Sequence, residues 1–235
     1  MSVQMEKLKQ KYFSVFENSM GIINNVQARI PLRAVAKPVF IKARKMPFAL
    51  RDAVEKEFYE LEKNGIIEKF ETSRWATPIV PVRKQGGKVR ICGDYKISLN
   101  PQIFVQEHPL PTIEELFAAM AGEVYPDDRE HLTLSTHRGL YRPTRFMYGV
   151  ASGPAKWQNI IEEILKDIDC VSVFSDDIKI TAPNDVIHLQ RLEEVLSRLS
   201  KYNMRVNFEK CEFSASEIEY CEYKIDCEGI HKSMQ

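Results

Sequence analysis

The segment VSVFSDDIKIT, residues 171–181, places two adjacent carboxylates, Asp176 and Asp177, between two short apolar runs. Apolar runs of this length on either side of a turn predict a β-hairpin with the acidic pair at its tip. A buried and unpaired carboxylate is too costly for a core, so the pair must face water or be neutralised by a cation. Magnesium prefers such oxygen ligands, but aspartate is also a common turn residue, so a plain surface turn is the alternative.

The rest of the chain alternates helical and strand patterns, which indicates an α+β fold. Helices are predicted within residues 49–64, 112–121, 153–168 and 184–203, the first ending at Gly65. Strands are predicted within residues 77–92, with a turn at 85–87, and at residues 171–174, 178–181, 204–208 and 218–225. Residues 24–48 are basic and contain several prolines, which predicts an extended arm.

Charge is balanced over the chain but not along it. Residues 1–100 carry 19 Lys and Arg against 10 Asp and Glu, a net charge of +9, and the remainder carries 14 against 23, a net charge of −9. This division suits a protein that binds an anion with one part and a cation with the other, and two solvated surfaces of opposite sign are the alternative.

Several function classes are disfavoured by composition. No apolar stretch is long enough to span a membrane and no signal peptide is evident, so we expect an intracellular protein, cytoplasmic or nuclear. The five cysteines and five histidines lack zinc-site spacing, which predicts reduced thiols and no structural zinc.

Six segments resemble, in the same order, the reverse transcriptase domain of gypsy-type LTR retrotransposon Pol polyproteins. They include SRWATPIVPVRKQGGKVRICGDY, PLPTIEELFAAMAG, YGVASGPAKWQ, VFSDDIKI and IEYCEYKID. The resemblance implies an RNA-directed DNA polymerase with the fingers and palm of a right-hand polymerase, the palm being an antiparallel sheet backed by helices. It divides the chain into an N-terminal helical or irregular segment (1–29), fingers-like residues 30–103 and 126–150, and palm-like residues 104–125 and 151–235.

The resemblance also implies roles for individual residues in template-directed nucleotidyl transfer. Asp176 and Asp177 would bind Mg²⁺ or Mn²⁺ as catalytic carboxylates. Residues implied to bind the incoming dNTP are Arg90, Arg83, Lys84, Lys88, Tyr148, Gly149, Phe174 and Ser175. Residues implied to contact an RNA or DNA template–primer are Pro154, Gln158, Cys221, Glu222 and Tyr223. For the four cations, a solvated basic hairpin is the alternative.

The sequence departs from the family pattern after the helix predicted at residues 112–121. The family has a palm strand there, beside the acidic hairpin, that carries another metal-binding Asp, and here residues 122–136 offer no match for it. We therefore expect an internal deletion, irregular structure over residues 123–131, and weak or absent polymerisation. Asp127 or Asp128 could replace the lost carboxylate, but Pro126 disfavours a central strand.

Two further departures concern the end of the chain. Glu222 stands where the family has a glycine against the primer phosphate, so it adds bulk and a like charge. The chain is also expected to be truncated before any thumb, ribonuclease H or integrase segment. A catalytically dead remnant that serves as a nucleic-acid or protein interaction domain is the alternative function. The sequence does not predict an oligomeric state.

Overall fold

The computed structural model describes residues 2–17, 23–24, 27–84, 87–104, 123–174, 177–220, 223–226 and 228–232. The helix predicted at residues 112–121 and the turn at Gln85 and Gly86 lie outside the described residues. The same holds for four predicted site residues, namely Ser175, Asp176, Cys221 and Glu222. In the described part of the chain, no helix combines the length and apolarity needed to cross a membrane.

Four α-helices are present in the described residues: α1 (Ser2–Lys11), α2 (Arg51–Lys63), α3 (Gly153–Leu165) and α4 (Asp185–Lys201). The last three confirm the helices that apolar periodicity predicts. Helix α2 buries Val54 and Phe58 and is followed by Gly65 at a φ of 65°, a left-handed conformation that suits glycine. Helix α4 begins where the Asn184 side chain accepts a hydrogen bond from the backbone N–H of Ile187 at 3.0 Å.

Twelve strands are present in the described residues. They are β1 (Gln27–Ala28), β2 (Ile67–Phe70), β3 (Thr77–Arg83), β4 (Val89–Gly93), β5 (Glu123–Val124), β6 (Leu134–Thr136), β7 (Gly139–Pro143), β8 (Val171–Phe174), β9 (Asp177–Ile180), β10 (Ile218–Tyr220), β11 (Tyr223–Asp226) and β12 (Gly229–Lys232). Short 3-10 helices occur at Phe13–Phe16, Phe48–Leu50, Tyr95–Ile97, Asn100–Gln102, Pro126–Leu132 and Phe208–Lys210.

The largest sheet has five strands in the order β2-β7-β6-β3-β4, antiparallel except where β3 meets β6. Its core side is filled by large buried side chains, among them Phe58, Trp75, Tyr95 and Tyr141. Tyr95 is fully buried and its hydroxyl donates to the carbonyl of Leu132 at 2.8 Å, so its one polar group is satisfied. The predicted α+β fold, mostly antiparallel and backed by helices, is confirmed.

The acidic hairpin forms as the sequence predicts. Strands β8 and β9 pair antiparallel with Phe174 opposite Asp177, so only residues 175 and 176 separate them. Among the described residues these two strands form a sheet of their own. Their apolar residues Val171, Val173, Ile178 and Ile180 pack against the core that includes helices α3 and α4.

Three sequence predictions of local structure are wrong. Residues 218–225 are not one strand, because Ile218–Tyr220 and Tyr223–Asp226 pair antiparallel as β10 and β11. Residues 204–208 are not a strand, because Asn207 accepts a hydrogen bond from Glu209 N–H at 3.0 Å and so starts a 3-10 helix. Residues 123–131 are not irregular, because strand β5 pairs in parallel with β1 and the Pro126–Leu132 3-10 helix follows. Neither element is a long strand paired with β9.

Candidate active site

Asp177 is the described carboxylate of the acidic pair, and it is exposed at the first position of β9. Side chains alternate between the two faces of a strand, so Asp177 shares a face with Lys179 and, across the hairpin, with Phe174. The opposite face is the apolar one that packs against the core. The hairpin therefore presents its predicted metal ligand away from the core.

Gln158 fixes the hairpin to helix α3. Its side chain is 3% exposed and its amide nitrogen donates to the Val173 carbonyl at 2.9 Å and to Glu162 at 2.6 Å. A hydrogen bond inside a protein gains strength from the low local dielectric, so this contact holds β8 firmly. These described bonds are to protein, and a nucleic-acid contact of Gln158 stays a prediction.

Four cations lie on the β3–β4 hairpin. Arg83, Lys84 and Lys88 are exposed, whereas Arg90 is partly buried with its guanidinium 4.4 Å from the centre of the Tyr148 ring. Although the Lys84 side chain is exposed, partial loss of its hydration lowers its pKa, the nearby charge of Arg90 lowers it further, and Glu57 opposes the shift. Since these like charges repel, an anion bound among them would be stabilised.

The loop after Tyr148 is tied to this hairpin. The backbone N–H of Gly93 donates to the Tyr148 carbonyl at 3.0 Å. Gly149 has a φ of 101°, and an added Cβ would lie 2.3 Å from the Gly93 carbonyl oxygen. Only glycine fits such a position, so the sequence prediction that singles out Gly149 has a backbone reason in this structure.

Asn100 is a site-forming residue that the sequence analysis missed. Its amide donates to the Gly149 carbonyl at 2.8 Å and its oxygen accepts from the Ala151 N–H at 2.9 Å. The side chain thus fixes both ends of the loop between Tyr148 and helix α3. The one local signal is its place before Pro101, because asparagine commonly bonds nearby backbone in turns.

Two other predicted contacts with nucleic acid lie in different surroundings. Pro154 is buried in the first turn of α3. Tyr223 begins β11, pairs with Tyr220 and is 47% exposed. Both roles stay predictions.

Asp128 lies on the Pro126–Leu132 3-10 helix and not on a strand beside the acidic hairpin, and its contacts are structural. Its Oδ2 accepts the Ile30 N–H at 2.8 Å and lies 3.1 Å from Nε of Arg29, which stacks on Tyr125 at 3.9 Å. The carboxylate is buried, so it holds the 3-10 helix against the basic arm. Burial lowers the pKa of Lys156, and the charge of Asp128 opposes that shift.

Asp127, the other possible replacement carboxylate, is exposed on the same 3-10 helix. Within the described ranges, no three His, Cys, Asp or Glu side chains gather closely enough to hold a metal ion. Asp176 of the acidic pair lies outside those ranges.

Comparison with known proteins identifies the family. Residues 102–225, more than half of the chain, match the family described as reverse transcriptase (RNA-dependent DNA polymerase). The chain is 32% identical over 230 residues to the uncharacterized protein K02A2.6 of Caenorhabditis elegans, covering 91% of this chain and 18% of that protein. It is 27% identical over 251 residues to the retrovirus-related Pol polyprotein from transposon opus of Drosophila melanogaster, covering 96% and 25%. The chain thus spans a quarter or less of the length of these relatives.

Solved structures agree with this result at the level of fold. The foamy viral protease-reverse transcriptase in complex with dsDNA superposes with a TM-score of 0.84 at 22% identity, covering 97% of this chain and 52% of that one. The same protein in complex with an RNA/DNA hybrid gives a TM-score of 0.84 at 22% identity, covering 97% and 33%. The fold, the matched family and the relatives agree, and the chain belongs to the reverse transcriptase family.

Proposed function

We propose that this chain is the reverse transcriptase domain of a gypsy-type retrotransposon Pol polyprotein, and that its nucleotidyl transfer is impaired by the loss of one catalytic carboxylate. The observation that carries the proposal is the placement of Asp128. Asp128, one of the two candidates for a replacement ligand, is buried against Ile30 and Arg29, where it has a structural task. Asp176 and Asp177 then form only one side of the site.

The substrate-binding half of the site supports the family activity. Arg83, Lys84, Lys88 and Arg90 carry positive charge on one hairpin, and Tyr148 lies against Arg90. A triphosphate bound there would gain charge-assisted hydrogen bonds, which are stronger than neutral ones. The fold relatives in complex with dsDNA and with an RNA/DNA hybrid support an RNA or DNA template–primer as the second ligand.

The carboxylates fit a hard divalent cation. Mg²⁺ or Mn²⁺ takes oxygen ligands, which Asp176 and the exposed Asp177 supply. When bound, such ions stabilise charge on the attacking and leaving oxygens of phosphoryl transfer. That chemistry requires carboxylates around both ions, so a site with one acidic strand lost would bind metal weakly and react slowly.

A catalytically dead remnant that still binds nucleic acid is the second candidate. The structural bonding of Asp128 favours it, since Asp128 is then occupied and cannot serve as the replacement ligand. Glu222 favours it as well, because a negative charge against the primer phosphate weakens the grip on the primer end.

Primer extension on an RNA template with Mg²⁺ tests the proposal. We expect the chain to bind a labelled template–primer, and to extend it at least about a hundredfold more slowly than an intact reverse transcriptase. Asp176→Asn should abolish the residual extension. Arg90→Gln should weaken dNTP binding about tenfold, whereas Lys201→Ala, an exposed cation at the end of α4, should not.

Each outcome has a distinct meaning. Extension within about tenfold of an intact enzyme would refute the impairment. No extension from a folded protein that binds the duplex would favour the dead remnant. A folded protein with no affinity for the duplex would refute both candidates.

A further inference from the structure

The hydrogen-bond pattern of the acidic hairpin determines which backbone groups of β9 point outward. Thr181 N–H donates to the Cys170 carbonyl at 3.0 Å, in the same register as the β8–β9 pairs. Hydrogen-bonded and non-hydrogen-bonded pairs alternate in an antiparallel ladder. Counting from the Cys170–Thr181 pair, Ile180 and Ile178 are in non-hydrogen-bonded pairs, so their N–H and C=O groups point away from β8.

The same alternation is visible on the other strand. Val173, the partner of Ile178, directs its carbonyl away from β9 and accepts the side-chain amide of Gln158. Strand β8 is therefore covered by α3 on this side. In the part of the chain that the structure describes, β9 pairs with β8 alone, and its outer edge faces no further strand. Such an edge is a template for another strand.

The charges beside this edge are self-complementary. Asp177 and Lys179 flank Ile178 on the polar face of the hairpin. If β9 pairs antiparallel with β9 of a second copy about a two-fold axis at Ile178, the two Ile178 residues exchange N–H to C=O hydrogen bonds. Asp177 of each copy then lies opposite Lys179 of the other copy, at the non-hydrogen-bonded positions where side chains are closest.

The neighbouring register is disfavoured. A shift by two residues would place Lys179 opposite its own copy, and like charges directly opposite each other are destabilising. A lysine ammonium has three donors, so the new ion pair does not require Lys179 to give up another contact. Of these two registers, charge favours the one centred on Ile178, and the reciprocal pairing of Asp177 with Lys179 favours a second copy of this chain as the partner.

We propose that the outer edge of β9 is a docking edge for a second copy of this chain, paired antiparallel through Ile178 with two reciprocal Asp177–Lys179 ion pairs. The contact is isologous, as a two-fold interface must be. It involves few residues, so it belongs to the class of weak and concentration-dependent interfaces. The inference does not depend on catalysis, but Asp177 is also the proposed metal ligand, so a bound cation would compete with this ion pair and the test is run without divalent metal.

Sedimentation velocity of the full chain at low salt tests the proposal, with concentrations reaching about 200 µM because so small a contact is weak. We expect a dimer that grows with concentration. Lys179→Asp should raise its dissociation constant about tenfold or more, because attraction becomes repulsion at two symmetric pairs. The double variant Asp177→Lys with Lys179→Asp should restore the dimer, since position 177 of each copy then carries a positive charge opposite a negative charge at position 179 of the other copy.

Three results would overturn the proposal: a monomer at every concentration, a dimer insensitive to Lys179→Asp, or a double variant that stays monomeric. Circular dichroism checks that each variant is folded. If a variant fails to fold, amide hydrogen exchange of the wild-type chain tests the pairing without any substitution. The Ile178 N–H should exchange more slowly as concentration rises, and an unchanged rate would count against the pairing.

Discussion

Replacing Asp128 by alanine should lower the free energy of unfolding, and the size of the loss can be estimated from the two contacts of its carboxylate. The change leaves the buried N–H of Ile30 without its acceptor, which costs about 1–3 kcal/mol. The ion pair with Arg29 adds about 0–1 kcal/mol, because that side chain is 59% exposed and screened by water. We therefore expect the free energy of unfolding to fall by about 1–4 kcal/mol in total.

Urea unfolding measures this loss. With a slope of about 2 kcal/mol per molar urea, the midpoint should fall by roughly 0.5–2 M. Asp127→Ala is the matched control, because Asp127 is the exposed neighbour on the same 3-10 helix and should cost less than about 0.5 kcal/mol. Asp128→Asn keeps an acceptor oxygen, so its loss should lie between those of the two alanine variants.

Two results would refute this reasoning. Equal midpoints for Asp128→Ala and Asp127→Ala would mean that the Ile30 and Arg29 contacts contribute little. If Asp128→Asn abolished primer extension while unfolding at the wild-type midpoint, Asp128 would be a catalytic ligand. The proposal that the site lacks a carboxylate would then be wrong.

Three other predictions concern stability and the hairpin. Gly139 and Gly149 both have a positive φ, and an alanine at either position should cost about 1–2 kcal/mol for that reason alone. Gly149→Ala adds a clash with the backbone of Gly93, so it should lower the free energy of unfolding by about 3 kcal/mol or more. Burial lowers the pKa of His131, so the free energy of unfolding should fall as pH drops from about 7 to about 5, and His131→Phe should flatten that slope. Gln158→Leu should cost about 1–3 kcal/mol and speed amide hydrogen exchange in β8 and β9, because the Val173 carbonyl loses its donor.

The sign of the pH effect follows from proton uptake. The unfolded state binds a proton at His131 at higher pH than the folded state does, so acid favours unfolding. A hydrogen bond from Arg74 lowers the pKa of Glu130, and the stability it contributes is lost only at lower pH, below about 4.5. The two groups are therefore separable, and a slope between pH 7 and 5 that persists in His131→Phe would contradict the assignment.

The controls for the other two variants are close in structure. Gly139→Ala tests positive φ without the clash, so equal losses at Gly139 and Gly149 would exclude the contact with Gly93 as the cause. Gln158→Glu keeps the size of the side chain but removes the amide donor. It should loosen the hairpin as Gln158→Leu does, and wild-type exchange rates would contradict the role of the bond to Val173.

Elements with local periodicity could be predicted from the sequence. Helix α4 and the β8–β9 hairpin each bury one face, and that face is visible as apolar residues at a fixed spacing. The parallel pairing of Gln27 with Glu123 has no such signal, because it joins distant parts of the chain. Residues 204–208 alternate like a strand, but Val206 N–H donates to the carbonyl of Val15 instead of joining a sheet.

The candidate site divides in the same way. The acidic pair and the basic hairpin are contiguous in sequence, so residue type and resemblance could identify them. The stacking of Arg90 on Tyr148 and the bonds of Asn100 to Gly149 and Ala151 depend on tertiary approach, which spacing does not encode. The role of Asp128 could not be predicted either, because its partner Ile30 is far away along the chain.

The order of strands in the five-stranded sheet has a consequence for how this chain tolerates changes in length. Strands β3 and β4 come before residues 94–133, and β6 and β7 come after them, yet β3 pairs directly with β6. Residues 94–104 and 123–133 of this connection carry buried core side chains, Tyr95 and Leu132 among them, so the sheet depends on those residues. An insertion that leaves them in place adds mainly the entropy of closing a longer loop, and doubling the length of a loop costs only about 0.6 kcal/mol. A sheet of this topology can therefore persist through insertions in the connection that spare its buried residues.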